Sequence, residues 1–393
     1  MLGHCILRNP TTREGVFDKG ALCESLLFFD SAHLLIDIGT LAHMIKAGFV
    51  DDLITMLRAG FLTANYSPQA PVLHSNVANG IKEHFFTVIK MCGDQHRPNM
   101  RNPEILERDM LRVTEDKTAA KRQFKTLAKL ISFKDVPDNG VPQLGQKDVS
   151  NAEIAREAAR QSLLAKGIPE DEIRFTYLDV MPIADNKFMI ATDIDFPKLA
   201  RFVPEPERKE FNQNILFLAI ADARFDIGAA AAQNAAFIGN ERNETITSIL
   251  LSRSLGARFD PSKVQRQLYD FVSVAVPSVR EVINKGERGA IEFVALMEKA
   301  TAFKEWLRKQ NPTADLVTEM MREKGRSDWL QSLPVKGMRF GIFTGLGMLA
   351  DAISPGVSVL TGAADSFLVD KIAKHWRPHY FVENNLRGFL EQD

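Results

Sequence analysis

The stretch Phe175-Thr176-Tyr177-Leu178-Asp179-Val180-Met181-Pro182-Ile183-Ala184-Asp185-Asn186-Lys187-Phe188-Met189-Ile190-Ala191-Thr192-Asp193-Ile194 changes the period of the chain. Phe175 and Tyr177 on one arm, and Phe188, Ile190, Thr192 and Ile194 on the other, recur every second residue, the repeat of a half-buried strand. Between the arms, Ala184-Asp185-Asn186-Lys187 has turn chemistry, because Asp and Asn tolerate the backbone angles of a tight hairpin. This β-hairpin sits in a chain whose other apolar residues mostly recur at three- and four-residue spacings. The fold class that follows is α+β and predominantly helical.

Working back toward the N-terminus, Ser25-Leu26-Leu27-Phe28-Phe29-Asp30 reads as a short buried strand. Leu34, Leu35, Ile38, Leu41 and Ile45 predict a helix that Gly48 ends. Asp51 and Asp52 open another, on Leu53, Ile54 and Leu57, with Gly60 as its stop. Residues 61–75, with Pro68 and Pro71, read as a loop or weak extended piece, and 85–92 as a further strand. Helices are expected over 104–113 and 115–133, the second capped by Thr114. Asp135 to Gly145 holds two prolines and two glycines and reads as a linker.

The expected organisation is an N-terminal α+β domain over 1–136, a linker over 137–150, a hairpin-containing segment over 151–205 and a helical domain over 206–393. The last begins with an alanine-rich helical stretch, 210–236, whose small side chains suit close packing. It ends with an apolar, glycine-rich hairpin, Phe340 to Ala364, broken by Ser354-Pro355-Gly356. Each half is about a dozen residues, short of the roughly 20 that span a bilayer as one helix.

Composition narrows the class. Of 393 residues, 45% are hydrophobic and 25% charged, an ordinary globular balance. The 49 basic and 50 acidic residues give a net charge of -1, so any electrostatic partner must be met by a local patch. Three cysteines, Cys5, Cys23 and Cys92, fit a reducing compartment, and the first residues lack the pattern of a signal peptide. A cytoplasmic protein is expected.

No phosphate-binding loop, nucleophile elbow, His-Glu-x-x-His helix or paired Cys-x-x-Cys is present. Gly345-Leu346-Gly347-Met348-Leu349-Ala350 has the spacing of a pyrophosphate turn without a βαβ unit around it, so close helix packing is preferred. Asp185-Asn186-Lys187 has the order of a metal-dependent nuclease core, in which carboxylates hold a divalent ion and lysine steadies the phosphate. Asp30 and Asp179 are the other acids such an active site would draw on. Turn chemistry accounts for Asp185 and Asn186, and a helix cap for Asp30 beside His33. Cys92 and His96, with His84, are weak metal ligands by spacing, as zinc sites normally show two such pairs. Pro378 separates His375 from His379.

Two features stand above these. Lys117, Lys121, Lys125 and Lys129 recur every four residues, with Arg122 beside them, and form a basic stripe on one helix. It is either a solvated face or a contact for a polyanion. The apolar segment 340–364 is flanked by Trp376, Arg377, Tyr380 and Phe381, types suited to a membrane interface or to a partner.

The functional expectation is an intracellular binding or effector protein without a legible catalytic motif. Its design is that of a bacterial toxin or an abortive-infection protein of antiviral defence, with a membrane-directed C-terminal segment. The partner is expected to be another protein, with an anionic membrane or nucleic acid as the other choices. The rival is a metal-dependent nuclease or other hydrolase using Asp30, Asp179, Asp185 and Lys187. A basic nucleic-acid-binding module is the third reading. No cofactor is implied.

Overall fold

The computed structural model describes residues 2–12, 14–78, 80–91, 100–138, 140–233, 235–243, 245–247, 249–250, 279–309 and 385–390. Within them the chain mixes helices with two four-stranded sheets.

The first sheet is parallel throughout. It contains β1 (Leu2–Arg8), β2 (Phe29–Ile36), β3 (Leu62–Tyr66) and β8 (Ala235–Ile238), in the order β3-β2-β1-β8. Parallel neighbours need crossovers. Helix α1 (Lys19–Phe28) links β1 to β2, and α2 (Ile38–Lys46) with α3 (Val50–Arg58) links β2 to β3.

Both faces of this sheet are covered over much of their length. Cys5, Leu7, Ala32 and Leu34 enter one core with Leu22, Leu26 and Leu53. Ile6 and Leu35 enter a second core on the other face. A strand buried on both sides is a continuous apolar run. That explains two departures from the sequence reading. Leu34-Leu35-Ile36 belongs to a strand rather than to a helix, and Ser25 to Phe28 belongs to α1 rather than to a strand. Asp18 begins α1, its side chain accepting from the Ala21 amide at 2.8 Å. Asp30 lies second in β2, not at its end. The carboxylate that follows β2 is Asp37, which caps α2 by accepting from the Thr40 amide at 2.7 Å.

The second sheet is antiparallel. It contains β4 (Gln69–Ala78), β5 (Ile81–Lys90), β6 (Leu178–Ala184) and β7 (Lys187–Thr192), in the order β4-β5-β7-β6. The expected hairpin is β6–β7. Its turn places Asn186 at φ 57°, a left-handed conformation that Asn accepts more readily than most residues. Residues 61–75, read as a loop, form β3 and much of β4. Pro71 is tolerated because β4 is an edge strand.

One face of this sheet carries Leu73, Phe86, Leu178 and Phe188, all buried. Against it lie α6 (Val141–Val149), α7 (Ala152–Ala165) and, past the short α8 (Phe196–Leu199), α9 (Leu218–Ala232). A Cβ on Gly145 of α6 would stand 2.7 Å from the Phe86 ring, so glycine sets that close approach.

Part of the expected linker is therefore structured. Val141 and Val149 of α6 are buried, and Pro142 sits in the first turn, where its missing N–H costs nothing. The helical domain expected after 206 also holds a strand, because β8 pairs with β1. The alanine-rich stretch is α9, and it packs on β4 of one sheet and on β1 and β8 of the other. Past β8, helix α10 (Val279–Asn284) packs on α1, where Gly20 admits the Arg280 backbone. Helices α11 (Ala290–Lys299) and α12 (Thr301–Lys309) follow.

Candidate functional site

In a parallel sheet, ligand sites lie beyond the carboxyl ends of the strands, where the strand order reverses. Here that point is the edge between β1 and β8. Arg8 ends β1, and its side chain is 7% exposed. Its Nε donates to Asp37 at 2.8 Å, and its Nη1 donates to Asp226 at 2.8 Å. Nη1 and Nη2 donate to Asp222 at 3.3 and 3.2 Å. The guanidinium also lies 4.8 Å over the Phe225 ring. Asp222 and Asp226 are one helical turn apart on α9, so both face β1. One buried cation thus joins two strands and the crossover helix, and three carboxylates share it.

The electrostatics follow from that imbalance. Burial opposes the charge on Arg8, but the three carboxylates hold it well above the ordinary arginine value. Burial pushes the Asp226 carboxyl up to about 7, against the pull of Arg8. Asp222 is also raised, by desolvation first, although its side chain keeps 36% exposure at the mouth of the cluster.

Neighbouring polar groups extend the edge. Asn9 has φ 47°, turning the chain out of β1, and its Oδ1 lies 2.8 Å from His43 Nδ1. His43 is lowered, by burial first and then by Lys46 and Arg242, with Asp37 opposing. Asn243 adds a hydrogen bond to Asp222. A carboxyl near neutrality beside a second, partly exposed acid can take up or release a proton and can receive a cation. Among the described residues, no three His, Cys, Asp or Glu side chains are placed to hold a metal ion. Arg8 occupies the centre that a metal would need.

The acids singled out from sequence do not meet. Asp179 and Asp185 are exposed, on β6 and in the hairpin turn. Six residues of extended chain separate them, about 20 Å. Asp30 belongs to the other sheet. Lys187 is committed to Glu83, with Nζ 2.8 Å from Oε2. His33, beside Asp30 in the sequence reading, joins a ladder across the parallel sheet. His4 Nδ1 is 2.6 Å from Ser31 Oγ, and His33 Nδ1 is 2.8 Å from Thr63 Oγ1. Burial, then His4, brings His33 down to about 4. His84 is fully buried against Phe188, and burial brings it down to about 4. Its proposed partners Cys92 and His96 lie outside the described residues.

The basic stripe begins on α5 (Lys117–Leu127), after α4 (Asn102–Val113); the helix expected to run to 133 ends at Leu127, so Lys129 lies in the turn beyond it. Asp116, not Thr114, caps α5. Lys121, Arg122, Lys125 and Lys129 are exposed and make no ion pair among the described residues, while Ala120 and Leu127 are buried. Lys117 is also exposed, but its amine donates to the carbonyls of Leu111 and Thr114 at the end of α4. The apolar segment 340–364, the glycine motif within it, His375 and His379, and Trp376, Arg377, Tyr380 and Phe381 all lie outside the described residues. Among the described residues, no helix is long and apolar enough to cross a membrane.

The Arg8 cluster has one signal in the sequence: Asp222 and Asp226 at four-residue spacing, with Arg224 between them, in a helix whose other residues are apolar and rich in alanine. Charges in such a setting are paired. Compared with known protein families, with curated proteins and with solved structures, the chain matches none.

Proposed function

We propose that the protein acts by binding, and that the carboxyl edge of its parallel sheet takes a small molecule bearing a positive charge. The observation that carries this reading is the excess of carboxylate over cation around Arg8. Three aspartates share one guanidinium, and Asp222 keeps a third of its side chain open to an incoming group. A ligand ammonium or guanidinium at Asp222 would relieve the strain that desolvation places on these carboxyls. Asn9, His43 and Asn243 would orient it. The reading keeps the protein in the cytoplasm, in line with the free, buried thiols of Cys5 and Cys23, which burial pushes up and makes inert.

The experiment is calorimetric titration with putrescine, agmatine and Mn²⁺, against 1,4-butanediol as the neutral isostere. An amine or guanidine that binds while the diol does not, with loss of binding in Asp222→Asn, supports the reading. Mn²⁺ binding alone would move the site to the metal-dependent hydrolase reading. Absence of all three interactions would remove the site.

A second reading rests on a separate observation, the exposed Lys121, Arg122 and Lys125 of α5 and Lys129 just past it, which make no ion pair among the described residues. That face fits a polyanion, with nucleic acid the class that a stripe of this length would follow along its backbone.

A further inference from the structure

One face of α7 and residues 173–176, which lead into β6, line an open groove of about 940 Å³. That volume falls in the range of small-molecule sites. A smaller hollow of about 280 Å³ adjoins it, and Arg174 and Asp193 line both.

The charged groups of the groove divide into spent and unspent. Asp193 accepts from the Thr176 amide at 2.9 Å, from Thr176 Oγ1 at 2.6 Å and from the Tyr177 amide at 3.3 Å. Those bonds lower its pKa. Glu157 accepts from Gln161 at 2.7 Å and pairs with Arg160, which also reaches Glu170. Arg174 spends only its Nε, on the Asp171 carbonyl at 2.8 Å, and both its terminal amino groups are without a partner among the described residues. Arg156 is exposed and makes no hydrogen bond or ion pair among them. Glu153 is the remaining acid, in the first turn of α7, where it complements the helix dipole. Half-buried Ile173, Phe175 and Ile249 supply the apolar lining.

Two guanidinium groups with unspent donors, beside an apolar floor, match a ligand with an oxyanion head and an apolar body. Guanidinium forks fit carboxylate and phosphate geometry alike. We propose that this groove binds a small amphipathic anion. Arg156 and Arg174 hold its carboxylate or phosphate, and Ile173, Phe175 and Ile249 carry its body. The site is separate from the Arg8 cluster and selects the opposite charge.

The test is calorimetric titration of the full chain with phenyl phosphate, phenylacetate and 2-phenylethanol. At least one anion should bind with Kd at or below about 1 mM, and the alcohol at least about tenfold more weakly. Which anion binds tighter distinguishes a phosphate ligand from a carboxylate. Arg156→Ala and Arg174→Ala should each weaken the anion about tenfold or more, a change of about 1.4 kcal/mol. Arg156 is an exposed helical position where alanine is well tolerated, so that variant should keep the wild-type melting temperature. Asp222→Asn should leave the anion's affinity unchanged. Equal binding of anion and alcohol, unaltered binding in either arginine variant, or no anion binding at about 10 mM would overturn the proposal.

Discussion

Replacing Arg8 by methionine would leave Asp37, Asp222 and Asp226 facing one another without a counter-charge. Removing one partner of a buried ionic cluster costs about 3–5 kcal/mol, because the remaining charges stay desolvated. Urea unfolding of Arg8→Met should show a loss of that order, with Asp226→Asn less affected because that carboxyl is already half-neutral near pH 7. Glu24 offers a cleaner titration. It is 2% exposed and accepts from the Arg280 amide at 3.1 Å. Burial pushes its carboxyl up to about 8, with Arg280 opposing. A folded-state pKa above the unfolded value gives stability that is present below about pH 4.5 and lost as pH rises through about 8. Each tenfold difference in proton affinity between the folded and unfolded chain is worth about 1.4 kcal/mol, so the loss is large enough to measure. Wild type should therefore weaken from pH 5 to pH 9, and Glu24→Gln should flatten that slope. Equal slopes would mean that Glu24 is charged throughout. At this scale the sequence was legible where a residue type suits its own backbone, as Asn186 does at φ 57° in the hairpin turn. It was not legible for Arg8, whose partners stand 29, 214 and 218 residues away.

Elements open to solvent on one face were the readable ones. In the hairpin, Phe188 is buried and Ile190 and Thr192 are half-buried, so the β7 arm keeps its expected face, whereas Phe175 and Tyr177 precede β6, whose buried residue is Leu178. The parallel strands are covered on both faces, so β1 and β2 lack an alternation that separates them from helices. Strand β8, four residues long, is hidden at the end of the alanine-rich run. The exposure of the stripe's cations was legible, since an exposed face needs only its own period, but the end of the helix was not: α5 stops at Leu127, and Lys129 stands in the turn after it. What structure adds is that Lys117 is spent on α4, which leaves Lys121, Arg122, Lys125 and Lys129. Charge reversal at Lys121 and Lys125 should weaken binding to single-stranded DNA or RNA in fluorescence anisotropy. It should also reduce the slope of log affinity against log salt by about 1.4, roughly 0.7 for each contact removed from a single strand. Reversal at Lys117 should change the slope less. If wild type shows no affinity at low salt, the face is only solvated.

The division of the chain near residue 136 bears on how the molecule holds together. Between α5 and α6 the backbone is not free along its length. Ser132 exchanges backbone hydrogen bonds with Ala64 and Tyr66 at 3.0 and 2.9 Å, and the Val136 amide donates to Gln69 at 2.5 Å. The parts left to a protease are the exposed Lys134-Asp135 and Pro137-Asp138. Limited trypsin or proteinase K digestion should therefore nick near 134–140 before it cuts any helix. The two sides of such a nick are joined by more than a linker. Strand β8 completes the first sheet beside β1, and Arg8 is bound to Asp222 and Asp226 of α9. Arg224 of the same helix makes a buried two-bond pair with Asp148 at 2.5 and 2.7 Å, which ties α9 to α6. The nicked protein should elute from a gel-filtration column as one species at the intact size, and should separate only in denaturant. Two fragments that part in native buffer, each keeping its circular dichroism, would mean that residues 1–136 fold alone and that the β1–β8 edge is a contact between domains. In that case the Arg8 cluster becomes an interdomain site, and a ligand at Asp222 should slow the separation measurably.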